Sequence, residues 1–146
     1  MADRTQSYAN HAQIVPMYHY VTFGLLVLTF IGSCVNLYES LGDRSRLYNA
    51  SLLVTLTLST ILLFFLARVF ALKAQDRAIR AEENLRHYVL TGSLLDPRLT
   101  IRQIIGLRFA GDDELPTLAK RAADEDLSPD AIKKAVRAWR ADTHRV

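Results

Sequence analysis

The sequence has little of what enzymes and disulfide-stabilised domains use. It contains one cysteine, four histidines and six glycines among 146 residues. The single thiol, Cys34, excludes an intramolecular disulfide and a cysteine-based zinc site. No phosphate-binding glycine loop, HExxH motif or histidine pair at metal-ligand spacing is present. We therefore expect that the protein is not an enzyme and has no cofactor or metal, while a bound lipid or contact with a neighbour's pigment stays open.

Charge is absent from two long apolar runs, residues 20–37 and 50–67. As a helix, each run covers about 27 Å, close to the hydrocarbon thickness of a bilayer. A buried soluble hairpin does not account for them, because the rest of the chain is too polar to cover two helices that are apolar all round. The sequence predicts an all-α membrane protein with a two-helix transmembrane hairpin.

The second helix is expected to continue out of the membrane. Residues 68–88 contain no Gly or Pro and are rich in strong helix formers, and Gly92 is the expected stop. The predicted parts are an N-terminal interfacial segment (1–19), transmembrane helix 1 (20–38), a connecting loop (39–49), transmembrane helix 2 with a cytoplasmic extension (50–90) and a helical cytoplasmic tail (91–146).

Positive charge is concentrated after the second run. Residues 68–110 carry a net charge of +4, against 0 for residues 1–67 and −1 for residues 111–146. The positive-inside rule places this side, and with two spans both termini, in the cytoplasm. Basic residues nearest the second span are expected to contact anionic lipid headgroups, although topology alone would also explain them. These residues are Arg68, Lys73, Arg77 and Arg80.

Small and hydroxyl residues recur at intervals of four in both runs. Such residues mark contact faces between helices in lipid. Those in the first run are Gly24, Gly32 and Asn36, and those in the second are Ser51, Thr55 and Ser59. We expect these two faces to meet, with Asn36 bonded to a hydroxyl across the pair. The alternative is that they bind a helix of another protein.

A second candidate contact lies on the helical extension. Residues at heptad spacing form a narrow seam of mostly small side chains that would let another helix approach, whereas a solvated helix with alanines for propensity alone is the alternative. The predicted partner contacts are Ala74, Ala78, Ala81, Leu85 and Tyr88, together with Trp139 from the tail.

The tail contains signals for three short helices. Thr100 and Gln103 have capping-box spacing, and Ser128-Pro129 is an N-cap followed by the first helical residue. Apolar residues from Leu115 to Ala122 predict the middle helix, and those from Ile132 to Trp139 the last. The basic residues of the last helix suggest DNA binding, but the net charge of −1 argues against a nucleic-acid partner.

Four segments resemble a known family: YANHAQIVPMYHY, ENLRHYVLTG, LDPRLTIRQIIGLRFA and SPDAIKKAVRAWRADTHRV. The chain resembles a family of small bacterial two-span membrane proteins catalogued as a domain of unknown function. The resemblance implies a bacterial cytoplasmic-membrane location and supplies no catalytic residues. With the absence of site chemistry, we expect an accessory or structural subunit of a larger membrane complex, photosynthetic or respiratory. The alternative is a membrane-anchored regulatory or adaptor protein that captures a soluble partner.

Overall fold

The structure is a computed structural model that describes residues 6–8 and 14–142. Every regular element in these ranges is a helix. Helix α1 covers Met17–Glu39 and begins as the π-helical turn Met17–Thr22. The others are α2 (Arg44–Thr91), α3 (Ile101–Leu107), α4 (Leu115–Asp124) and α5 (Pro129–Ala135). The predicted all-helical class is confirmed for the described residues.

Helices α1 and α2 are both long and apolar enough to cross a membrane. α1 has 23 residues and contains all of the predicted first span, whereas α2 has 48 residues, more than twice the length of about 20 that crossing requires. α2 ends at Thr91, and Gly92 follows with a φ of 76°, which only glycine adopts without strain. The predicted stop at Gly92 is therefore confirmed.

The connection between α1 and α2 is shorter than the predicted loop 39–49. α2 begins at Arg44 because Asp43 acts as its cap: the Asp43 carboxylate accepts hydrogen bonds from the backbone N–H groups of Ser45 and Arg46, at 3.0 and 3.2 Å. Between α1 and α2, only residues 40–43 lie outside a helix. The sequence contains this signal, because Asp43 precedes a run without Gly or Pro.

Residues 14–71 form one compact unit, in which α1 lies against the first part of α2. The Tyr18 ring stacks on Phe64, with centroids 4.1 Å apart, and the Ser33 and Thr57 hydroxyls are 3.2 Å apart. Because the earlier α1 residue, Tyr18, contacts the later α2 residue, Phe64, and the later α1 residue, Ser33, contacts the earlier Thr57, the two segments run antiparallel. The hydroxyl contact between them is thus made by a pair that the sequence analysis did not select.

In the structure α1 and α2 do not meet through most of the predicted contact face. Gly32, Asn36, Thr55 and Ser59 are exposed, and only Gly24 and Ser51 are partly buried. Thr55 and Ser59 donate instead to carbonyls of their own helix, at 2.9 and 2.8 Å. The α1 residues that are buried or partly buried recur every three or four positions, at Leu26, Phe30, Ser33 and Leu37. The contact side of α1 therefore includes Ser33, one position from Gly32. The alternative, that the exposed face binds a helix of another protein, stays a prediction.

The second compact unit contains residues 72–142 and the short segment 6–8. Helices α3, α4 and α5 enclose its core, and the capping box at Thr100 and the Ser128 cap are both present. Gly106 is packed so closely that an added Cβ would lie 3.2 Å from the Ile132 side chain. The buried core residues are Leu95, Leu99, Ile104, Leu107, Phe109, Ala110, Leu115, Leu118, Ala119, Ala122, Ile132 and Val136.

The chain after α5 is extended, so the third tail helix is present but is shorter than predicted and does not reach Trp139. α5 ends at Ala135, and Ala110 and Trp139 form an isolated antiparallel bridge. Glu114 holds this segment because its carboxylate accepts hydrogen bonds from the backbone N–H groups of Arg137 and Ala138, at 3.1 and 3.2 Å. These backbone bonds outweigh the helical spacing of Ile132, Val136 and Trp139.

Tyr8 is attached to α5 through Asp130, and this contact gives a pH-dependent prediction. The Tyr8 hydroxyl donates to the Asp130 carboxylate, which raises the pKa of Tyr8. The Lys134 ammonium, and secondly the Tyr8 hydroxyl, lower the pKa of Asp130. The Asp130 contribution to stability is therefore complete above the ordinary aspartate pKa of about 3.9 and is lost as pH falls through the lowered value.

We expect the pKa of Asp130, measured by carboxyl NMR titration, to rise towards its ordinary value in Lys134→Met and by a smaller amount in Tyr8→Phe. The order follows from the larger effect of the ammonium hydrogen bond. Lys120→Met, at an exposed position on α4, is the control and should leave the titration unchanged. An unchanged Asp130 titration in both test variants would show that the contact is absent in solution.

Candidate partner-binding surface

The predicted seam on α2 lies at the surface of the C-terminal unit. All five of its residues are exposed, including Leu85 at 63% and Tyr88 at 53%. We call this set, Ala74, Ala78, Ala81, Leu85 and Tyr88, the α2 stripe. It projects from one side of a single helix, because its spacing of 3 and 4 residues matches the helical repeat.

The opposite side of α2 explains why the stripe is left uncovered. Ile79 and Glu83 are buried, at 7% and 5% exposure. On the same side Arg86 donates to the Ala110 carbonyl oxygen at 2.6 Å. One face of the helix therefore packs on its own unit and the other presents apolar side chains outward.

The structure does not bring Trp139, the sixth predicted partner contact, to the stripe. Its ring lies 4.7 Å from that of Phe109, and it packs against the core of the C-terminal unit. Trp139 therefore has a structural role that the sequence analysis missed, because the bridge that positions it joins residues distant in sequence. Partner contact by the five residues of the α2 stripe stays a prediction.

The predicted membrane-surface residues belong to α2 throughout. Lys73, Arg77 and Arg80 are exposed and share one side of the helix, whereas Arg68 is partly buried beside the Tyr18 ring, 5.9 Å from its centroid. Arg68 thus differs from the other three in having a defined aromatic neighbour. That difference could not be read from the charge pattern.

A charged cleft on the C-terminal unit was not predicted. Its cavity of about 290 Å³ is lined by residues from α2 and from two distant segments. Glu83 lies 3.0 Å from an Arg86 nitrogen and 3.8 Å from an Arg140 nitrogen, and Arg108 Nε lies 3.2 Å from Asp142. The cleft thus pairs acidic with basic side chains.

No group of three or more His, Cys, Asp and Glu side chains that could hold a metal ion is found within residues 6–8 and 14–142. His19 is held by Val15, whose carbonyl oxygen lies 3.0 Å from Nδ1. Cys34 is exposed on α1. These placements assign no ligand role to either residue.

The fold defines the class: an all-helical protein with two helices of membrane-spanning length and apolarity and a compact C-terminal helical unit. The chain belongs to the family described as "Family of unknown function (DUF6526)", whose model matches residues 1–146. This agrees with the resemblance to a family of unknown function. No curated protein and no solved structure matches the chain.

Proposed function

We propose that the protein is a non-catalytic accessory subunit of a larger membrane complex in the bacterial cytoplasmic membrane. The observation that carries the proposal is the α2 stripe, an exposed apolar helix face directly opposite a packed one. α1 and the first part of α2 would form the transmembrane hairpin, and the stripe would contact a neighbouring subunit. Photosynthetic and respiratory assemblies are the hosts we favour, on the size and form of the chain.

Two further features support the proposal. The described parts of α1 and α2 that would lie in lipid carry no charge and display large apolar side chains, such as Leu28 and Leu63 at 68% and 65% exposure. Apolar surface of this extent is stable in lipid and costly in water. The exposed hydroxyl and glycine face around Gly32 and Thr55 would then be available to a second helix in the membrane.

Membrane insertion and orientation give the first test. We expect the chain to stay in the membrane fraction through alkaline carbonate extraction. A fluorescent protein that folds only in the cytoplasm, fused after Val146, should fluoresce, because the positive charges following the second span retain that side. A periplasmic reporter active at the same site would contradict the orientation, and release by carbonate would contradict insertion.

The α2 stripe gives the second test, with a matched control on the same helix. Purification of the tagged chain from its native membrane in mild detergent should recover a stoichiometric partner. Leu85→Glu should reduce its recovery at least about ten-fold, because an unpaired charge in a dry contact costs several kcal/mol. Leu90→Glu introduces the same side chain at a position that is 41% exposed on the other side of α2 and should retain the partner.

A partner that is retained by Leu85→Glu would rule out the stripe as the contact. Recovery of the wild-type chain as a clean monomer would count against the accessory role itself. Both variants need a thermal unfolding curve like that of the wild type, so that loss of the partner is not loss of the fold.

A second candidate function is a membrane-anchored adaptor. It is favoured by the buried core of the C-terminal unit, which is distinct from residues 14–71. In that case the partner recovered through the α2 stripe would be a soluble protein, released from the membrane fraction by salt when the chain itself is retained.

A further inference from the structure

One end of the paired α1 and α2 segments holds an aromatic cavity. It has a volume of about 250 Å³ and is lined by Tyr18, His19, Phe23, Phe64, Phe65 and Arg68. Apolar atoms form nearly all of its wall, and none of its lining residues is acidic. A cavity of this kind suits an apolar chain or ring accompanied by negative charge at its mouth.

Local backbone structure fixes the aromatic walls. The π-helical turn Met17–Thr22 bonds residues five apart, so that Phe23 follows Tyr18 on the same side of α1. The Tyr18 hydroxyl donates to the Phe64 carbonyl oxygen at 2.8 Å, and the Phe23 centroid lies 6.1 and 6.0 Å from those of Phe64 and Phe65. Because the walls are formed before a ligand arrives, binding loses little side-chain freedom.

Charge and position identify the ligand class. Arg68 is the first charged residue after the uncharged residues 47–67. In the proposed topology it therefore lies where the hydrocarbon ends and the headgroup layer begins. An amphiphile with an acyl chain and an anionic head would place the chain among the rings and the head at Arg68.

We propose that this cavity binds one anionic glycerophospholipid, with an acyl chain against Phe23, Phe64 and Phe65 and its phosphate at Arg68. The proposal rests on the proposed membrane insertion and adds a defined lipid site to it. A guanidinium donates to phosphate through a planar fork of N–H groups. A headgroup without net negative charge would be held less strongly by the positive charge of Arg68.

Native mass spectrometry of the full chain, delipidated in mild detergent, tests the site. With phosphatidylglycerol and phosphatidylcholine of identical acyl chains at equal concentration, we expect one bound phosphatidylglycerol and a preference of at least about five-fold. Arg68→Gln should abolish that preference. Lys73→Gln, exposed outside the cavity, should lower the preference less than Arg68→Gln does, and the control Arg46→Gln, at the other end of the span, should keep it within about two-fold.

Equal loss of preference in Arg68→Gln and Lys73→Gln would overturn the proposal, because diffuse attraction by basic residues would then explain binding. Phe65→Ala removes a wall without changing charge, and undiminished phosphatidylglycerol occupancy in that variant would also overturn it. Carbonate extraction distinguishes failure of the lipid site from failure of the proposed membrane insertion. A chain that stays in the membrane but shows no headgroup preference refutes the lipid site alone, whereas a chain released by carbonate refutes insertion.

Discussion

Phe109→Ala is expected to lower the free energy of unfolding of the C-terminal unit by about 3–5 kcal/mol. Phe109 is fully buried, and its ring contacts Trp139 at 4.7 Å and the Arg108 guanidinium at 4.6 Å. Removal of the Phe109 ring leaves a cavity, and Trp139 in the extended segment after α5 loses its aromatic contact. The cost should therefore exceed that of losing apolar area alone.

Trp139 emission measures this effect directly, because it is the chain's only tryptophan. The full chain in mild detergent should lose its Trp139 transition at a clearly lower denaturant concentration in Phe109→Ala. Leu94→Ala, at a position 64% exposed, is the control and should change stability by no more than about 0.5 kcal/mol. Equal midpoints for the two variants would show that Phe109 is not in the core of the folded unit.

Local signals in the sequence predicted much of the helical content. The Thr100 capping box, the Ser128 cap and the stop at Gly92 depend on residues within a few positions of one another, and all three are present. The apolar spacing from Leu115 to Ala122 likewise predicted α4 and its buried face. Short-range hydrogen bonding and helical periodicity are sufficient for such elements.

Features set by long-range contacts were not predictable in the same way. Trp139 has helical spacing from Ile132, but its bridge to Ala110 and the bonds from Glu114 hold it in an extended segment. The helix contact through Ser33 and Thr57 is one position from the predicted Gly32 face, and an interval of four cannot distinguish two adjacent faces of an apolar helix. The α2 stripe follows from helical spacing alone, whereas its exposure depends on which residues fold against α2.

The network around Arg86 should be nearly as important to stability as Phe109. Its guanidinium is 11% exposed and uses all three nitrogens. They contact Glu83 at 3.0 Å, Asp112 at 2.7 Å and the Ala110 carbonyl oxygen at 2.6 Å. Glu83 is itself buried, and Arg140 is a further cation, 3.8 Å from the Glu83 carboxylate. A buried carboxylate that loses its main partner retains the cost of its own desolvation.

Arg86→Met should therefore destabilise the C-terminal unit by about 3–5 kcal/mol, measured by the Trp139 transition. The double variant Glu83→Leu with Arg86→Met removes both charges and should be more stable than Arg86→Met alone, because no buried carboxylate is then left with its main partner missing. Arg121→Met is the control. It breaks the pair of Arg121 and Glu125, whose side chains are 53% and 54% exposed, and should cost no more than about 1 kcal/mol.

If the double variant loses the sum of the stability losses of the single variants Glu83→Leu and Arg86→Met, Glu83 and Arg86 act independently and the network does not exist in solution. Recovery in the double variant would instead establish that Arg86 is retained at this position to neutralise Glu83, and that the packed face of α2, opposite the α2 stripe, is held by this pair.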